Sequence, residues 1–217
     1  MGYIESPTNP MSVAEVDGPM RALRVTERPM EALGYYRWSG STTNIPSMAG
    51  PNDLFHFRWV DPENIALIQY MRLRVLMVTL MTAQELCYSF DLASQWTVDG
   101  ANGQTAVLTH PNLVKRTSFP GSKVGTIRLA TSAYLFAGTK TLDASPFLIQ
   151  SGWSGALGNV PVDMSVDLTR GGAACPIVLT QNEGVVVRNV LTQNGGNLRM
   201  SMEIAWAECT PEQFPSF

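Results

Sequence analysis

The 217-residue chain carries 15 basic and 18 acidic groups for a net charge of −3, and its residues are 45% hydrophobic and only 15% charged. This composition excludes a disordered polar chain, and the absence of any Lys/Arg run excludes nucleic acid as a main partner. Charge this far below the roughly 25% usual for a soluble domain implies that a partner chain, more than water, covers part of the surface.

Residues 1–33 hold Pro7, Pro10, Pro19 and Pro29 with little hydrophobic periodicity, which predicts an extended N-terminal arm. Within it, residues 22–28 alternate well enough for one short strand. About 30 residues fully extended reach on the order of 100 Å, enough to cross a neighbouring subunit; a loose terminus is the alternative. Met1–Pro7 has neither the basic start nor the apolar run of a signal peptide, so no export is expected.

From Leu33 aromatic residues become frequent. Residues 53–60 alternate, with Phe55, Phe57 and Trp59 on one side and Leu54, His56, Arg58 and Val60 on the other, as a strand with one strongly apolar face. Residues 61–64, Asp-Pro-Glu-Asn, then make a turn. The run 65–80 is open to helix or strand. Arg72 spoils the helical stripe, so we read a long central strand with Leu67, Gln69, Met71, Leu73, Val75 and Met77 on one face and Ile68, Tyr70, Arg72, Arg74, Leu76 and Val78 on the other. The same arginines, with Gln69, make this most apolar stretch unfit to span a membrane.

Further strands are expected at 86–93, 106–109 and 126–130, the last extending toward Phe136, with turns at 99–103 and 119–122. Residues 150–176 read as glycine-rich loop with a short helix near 160–168. In the last third, 176–179 and 185–191 are strands, 181–184 and 192–197 are turns, and 198–207 is a return strand with Leu198, Met200, Met202, Ile204 and Trp206 facing in. The fold class is therefore all-β: an antiparallel, jelly-roll-like β-sandwich over residues 34–210, with the arm at 1–33 and a short tail at 211–217.

The inventory for chemistry is thin. His56 sits inside an alternating strand and His110 precedes Pro111, and nothing in their spacing makes a zinc site. Ser154 in Gly152-Trp-Ser-Gly155 falls short of a nucleophile elbow because position 156 is Ala. Gly152, Gly155 and Gly158 do not form a dinucleotide-binding loop, and residues 99–103 have too few carboxylates for an EF-hand, leaving a plain turn or a loop calcium on scattered oxygens. Glu183, Glu203 and Glu208 are the carboxylates available to a glycosidase, but Glu203 lies on an outward strand face. Cys87, Cys175 and Cys209 are odd in number and lack CxxC spacing, so they read as buried thiols in a reducing compartment. Tyr35, Tyr36, Trp38 and Trp153 are the aromatics able to stack on sugars, although core packing is their commoner use. No catalytic, cofactor-binding or metal-binding residue is therefore assigned, and no enzyme activity or cofactor is expected.

Residues 32–40 (Ala-Leu-Gly-Tyr-Tyr-Arg-Trp-Ser-Gly), 57–61 (Phe-Arg-Trp-Val-Asp), 138–144 (Gly-Thr-Lys-Thr-Leu-Asp-Ala), 176–179 with 181–188, and 205–208 (Ala-Trp-Ala-Glu) occur in an order that resembles a largely uncharacterised family of tailed-bacteriophage structural proteins. The resemblance implies a virion component assembled in the host cytoplasm. Its partners would be the major capsid protein or other virion proteins; the arm and the charge-poor surface add further copies of itself, as a trimer, while charge and the interrupted apolar run leave no nucleic acid and no membrane as partners. With the arm and the low charge, this points to a capsid decoration or cement protein; a tail or fibre-base component and a carbohydrate-binding receptor module are the alternatives.

Overall fold

A computed structural model of the chain describes residues 3–6, 9–17, 22–24, 34–108, 114–115, 120–154, 162–167 and 176–213. It divides into two units, Met1–Met30 and Glu31–Phe217. The first contains β1 (Tyr3–Ser6), β2 (Asn9–Asp17) and β3 (Ala22–Arg24), an antiparallel sheet in that order. β3 falls in the stretch where the sequence predicts a single strand; β1 and β2 are additional. Pro10 is tolerated in β2 because the register slips between the Glu5–Val13 and Ser6–Asn9 pairs, a bulge where no ladder N–H is needed.

The second unit contains β4 (Gly34–Ser41), β5 (Ile45–Pro46), β6 (Asn52–Trp59), β7 (Ile65–Met77), β8 (Gln84–Val98), β9 (Gln104–Thr105), β10 (Val114–Lys115), β11 (Val124–Leu129), β12 (Thr139–Leu142), β13 (Leu148–Ser154), β14 (Val162–Asp167), β15 (Ile177–Leu179), β16 (Gly184–Asn189) and β17 (Asn197–Cys209). They make two antiparallel sheets. The first runs β10-β4-β17-β7-β14, with β15 also on β7 and β5 also on β17; the second runs β12-β8-β16-β6-β11-β9, with β13 also on β8.

The pairing is nested: β4 joins β17, β6 joins β16, β7 joins β14 and β8 joins β13, all antiparallel. Successive pairs fall in alternate sheets, so the chain is one long antiparallel ribbon wound into a barrel-like sandwich. That is the jelly-roll topology.

The two inner faces meet in one apolar core. Tyr36 and Trp38 of β4, Phe55, Phe57 and Trp59 of β6, Phe90 of β8 and Val185 and Val187 of β16 are buried there with Met71, Leu73 and Val75 of β7. The predicted inward row of β17, Leu198 through Trp206, is buried throughout. Trp206 stacks on Tyr36 at 5.7 Å and meets Phe57 edge-on at 5.2 Å, the offset geometries that aromatic rings prefer.

Four expectations need correction. In β7 the register with β17 slips between Tyr70–Ala205 and Ile68–Trp206, so Gln69 is an extra residue. The bulge exchanges the faces: Ala66 and Ile68 share the main core with Met71 and Leu73, while Ile65 and Leu67 pack on the other side with Ala207 and Cys209. The helix expected at 160–168 is a strand, β14; residues 162–167, Val-Asp-Met-Ser-Val-Asp, alternate with period two, and their backbone pairs with β7. The turn at 192–197 uses Gly195 and Gly196 at positive φ, yet it makes no hairpin, because β16 and β17 lie in opposite sheets. Finally, the strand expected at 106–109 is displaced to β9, with 106–108 outside any strand and Thr109 outside the described residues, and β11 ends at Leu129 short of Phe136.

Candidate functional site

A cluster of buried polar side chains, Asp53 and His56 among them, lies on the outer face of the second sheet. A strand residue three places from another ordinarily points to the opposite face. Asp53 and His56 of β6 share a face because the register with β16 slips between Phe55–Val187 and Asp53–Arg188, which makes Leu54 the extra residue and sends both Leu54 and Phe55 into the core. Arg188 of β16 is in register with Asp53, and the edge strand β12 brings Lys140.

His56 Nε2 lies 2.8 Å from Asp53 Oδ2, and Lys140 Nζ donates to the same oxygen at 2.7 Å. Arg188 Nε lies 3.2 Å from Asp53 Oδ1 in an ion pair. Lys140 also donates to the Ala137 carbonyl and sits 5.0 Å above the Trp96 ring, which meets His56 edge-on at 5.0 Å. The side chains of Lys140 and Asp53 are only 3% and 7% exposed. Gly100 permits this closure, since a Cβ there would fall 1.7 Å from the Phe136 carbonyl oxygen and 3.0 Å from His56 Cε1.

Burial by itself would raise the Asp53 carboxyl, but hydrogen bonds from His56 and Lys140, with the lysine charge, hold it below the ordinary carboxylate range. Burial pushes His56 down, and the Lys140 charge adds to that against the opposing pull of Asp53. The ring is therefore neutral near pH 7. The proton faces Asp53 from Nε2, leaving Nδ1 a buried acceptor with no hydrogen-bond partner among the described residues.

An Asp–His pair is two-thirds of a hydrolytic triad. The third member is missing, because among the described residues no hydroxyl or thiol is hydrogen-bonded to His56. Ser154 is buried and donates to Met77 Sδ at 2.9 Å, and Ser89 donates to Asp91 Oδ2 at 2.6 Å. One carboxylate thus gathers two cations and an imidazole, and through Lys140 it links the edge strand β12 to β6 across the sheet face.

The other sequence candidates are scattered. Glu208 is buried at the far end of β17, where its carboxylate accepts from Ser122 Oγ at 2.5 Å, the Lys123 N–H at 3.1 Å and Trp206 Nε1 at 3.0 Å. Burial raises its pKa above the ordinary value despite these bonds. Next to it, burial and the Glu208 charge push the Tyr36 hydroxyl up to about 12, and that hydroxyl donates to the Pro120 carbonyl. Glu203 pairs with Arg37 on the outer face of the first sheet, and Glu183 accepts from the Thr180 N–H in its turn. No two of these carboxylates form a pair fit for glycoside chemistry.

Tyr36 and Trp38 belong to the core and Trp153 is exposed. Asp99 is committed to Arg58 and Thr126. Cys209 is buried and Cys87 half-buried, whereas Cys175 and His110 lie outside the described residues. Among the described residues no group of three or more His, Cys, Asp or Glu is placed to hold a metal ion, and no helix is long and apolar enough to cross a membrane. The Asp53–Lys140–Arg188 cluster was invisible in the sequence, because it joins positions up to 135 residues apart and depends on a bulge. The adjacency of Asp53 and His56 was its only local trace.

No family model and no curated protein matches the chain. Among solved structures it is similar to two viral capsid proteins. An unassembled VP1 pentamer of Washington University polyomavirus aligns at 9% identity over 85% of this chain and 98% of that one, with a TM-score of 0.31. The VP2 subviral particle of infectious bursal disease virus aligns at 11% identity over 92% of this chain and 46% of that one, with a TM-score of 0.15. Likenesses this loose carry no weight for the role of the chain.

Proposed function

We propose that the chain is a structural protein of a bacteriophage virion, a decoration or cement protein that binds the capsid shell and stabilises it without catalysing a reaction. The observation that carries this reading is a charge-poor jelly roll that leaves large apolar side chains in water: Leu80, Val98, Val107, Phe136, Ile149 and Trp153 are all exposed. Such residues are expected where a neighbouring subunit covers them.

The blocks that resemble phage structural proteins support the same reading in a particular way. They fall on β4, on β6, on β12 with Lys140, on β15, on β16 with Arg188 and on β17. These residues build the core and the ionic clamp, so the resemblance concerns how the scaffold is held together. Function would then reside in the surfaces the scaffold presents.

The test is co-sedimentation of the purified chain with shells assembled without it, followed by heating. Saturable binding and a raised shell disruption temperature are expected, with binding reduced when residues 1–30 are deleted. Binding to isolated tails and not to shells would favour the tail or fibre-base role and overturn the decoration role.

A further inference from the structure

Sheet edges are where a β-sandwich is vulnerable to pairing with another chain, and natural proteins blunt them with Lys, Pro, bulges or a covering segment. Among the described residues β13 is an edge without lysine, proline or bulge, with β14 near it but not paired to it. It pairs with β8 in unbroken register from Leu148–Phe90 to Ser154–Gln84, and among the described residues no strand pairs with its other side. Its sequence, Leu-Ile-Gln-Ser-Gly-Trp-Ser, has no charge and no proline. The neutral stretch is longer than the strand, since no charged residue occurs between Asp143 and Asp163.

On the outer side of this strand Ile149 is 55% exposed and Trp153 is 68% exposed. They lie two residues to either side of Ser151. An antiparallel copy of the strand, placed with Ser151 opposite Ser151 across a twofold axis, sets Ile149 of each chain opposite Trp153 of the other. Both are then on one face, as the β-branched and aromatic pairs that stabilise antiparallel ladders. The strand is thus complementary to itself, in register and in its lack of charge.

We propose that β13 is a self-association edge: two copies of the chain pair through it about a twofold axis at Ser151, joining their second sheets into one continuous sheet. The two side chains offer on the order of 250 Å² per copy, or about 500 Å² for the pair, and the backbone ladder adds to this. The side-chain part alone is under half of the roughly 1,200 Å² at the lower end of stable specific interfaces. A small interface of this kind is populated most where copies are crowded together. The inference is independent of whether the chain sits on a shell.

Sedimentation equilibrium of the full chain from micromolar to millimolar concentration tests it. The weight-average mass is expected to rise from 23.7 kDa toward twice that value. Ile149→Lys and Trp153→Glu should each weaken association at least tenfold without lowering the melting temperature, because both residues are exposed. The double variant Ile149→Lys with Trp153→Glu should recover most of the loss, since the register puts each new cation opposite a new anion. A chain that stays monomeric throughout, a dimer indifferent to both single variants, or a double variant no better than the singles would overturn the proposal. So would a dimer that depends on residues 1–30 and not on β13.

Discussion

The outer faces of the two sheets use the same chemistry to opposite effect. On the first sheet, Arg37 of β4 and Glu203 of β17 approach to 2.9 Å with side chains 48% and 32% exposed. On the second, Lys140 and Asp53 approach to 2.7 Å, nearly excluded from water. The distances differ little, but the surroundings differ greatly. Water screens the first pair and competes for its hydrogen bonds, so its net worth is about 0–1 kcal/mol. In the second, Asp53, His56 and Lys140 are almost wholly desolvated and Arg188 is 24% exposed, so removing the shared carboxylate leaves its partners largely buried and uncompensated. The contrast teaches that burial, more than distance, decides what an ion pair on a sheet face is worth.

The strongest way to break the comparison is Asp53→Ala, which strands Lys140 and Arg188 without their shared anion. A loss of about 3–5 kcal/mol is expected in denaturant unfolding. Glu208→Ala comes next, because it leaves the Trp206 indole, the Ser122 hydroxyl and the Lys123 N–H short of an acceptor; about 2–3 kcal/mol should be lost.

Acid sharpens the contrast with a predictable sign. His56 has a folded value below its ordinary one of about 6.5, so its contribution is present above that pH and is lost as the pH falls through the lowered value. Asp53 acts in the same sense further down, its contribution present above about 3.9 and lost as the pH falls through its own lowered value. Glu208 acts in the opposite sense: its raised value gives a contribution that is full below the ordinary glutamate range and lost as the pH rises through the raised value. Between pH 7 and pH 5 His56 therefore lowers the melting temperature as the pH falls, and Glu208 raises it. Relative to the unchanged chain, His56→Gln should shift the pH 7 to pH 5 change in melting temperature upward, and Glu208→Gln should shift it downward. The smallest effect is expected from Arg37→Ala, under about 1 kcal/mol and weaker still in salt; a loss as large as that from Asp53→Ala would erase the distinction between the two faces.

Legibility in the sequence followed the physics of periodicity. β17 could be read directly, because its inward apolar residues recur every second position, and so could the Phe55, Phe57 and Trp59 face of β6; Leu54, expected on the face of His56, is instead carried into the core by the bulge beside it. The faces of β7 were read correctly only from Met71 onward, since a one-residue bulge at Gln69 leaves no mark in composition. β14 was mistaken for a helix because Gly and Pro on both sides of it obscured a six-residue alternation. The nested pairing that makes the jelly roll joins strands such as β4 and β17 across more than half the chain, and no local signal encodes such contacts. The clamp failed to show for the same reason: Lys140 and Arg188 each look like ordinary surface cations until the fold places them on Asp53.

The most direct measurement is a reconstruction of the intact particle by electron cryo-microscopy. The account predicts density for the jelly roll bound on the capsid shell, with its exposed apolar residues against a neighbouring subunit and a stoichiometric number of copies. Density confined to the tail or its fibres, or an intact particle without the chain, would contradict it.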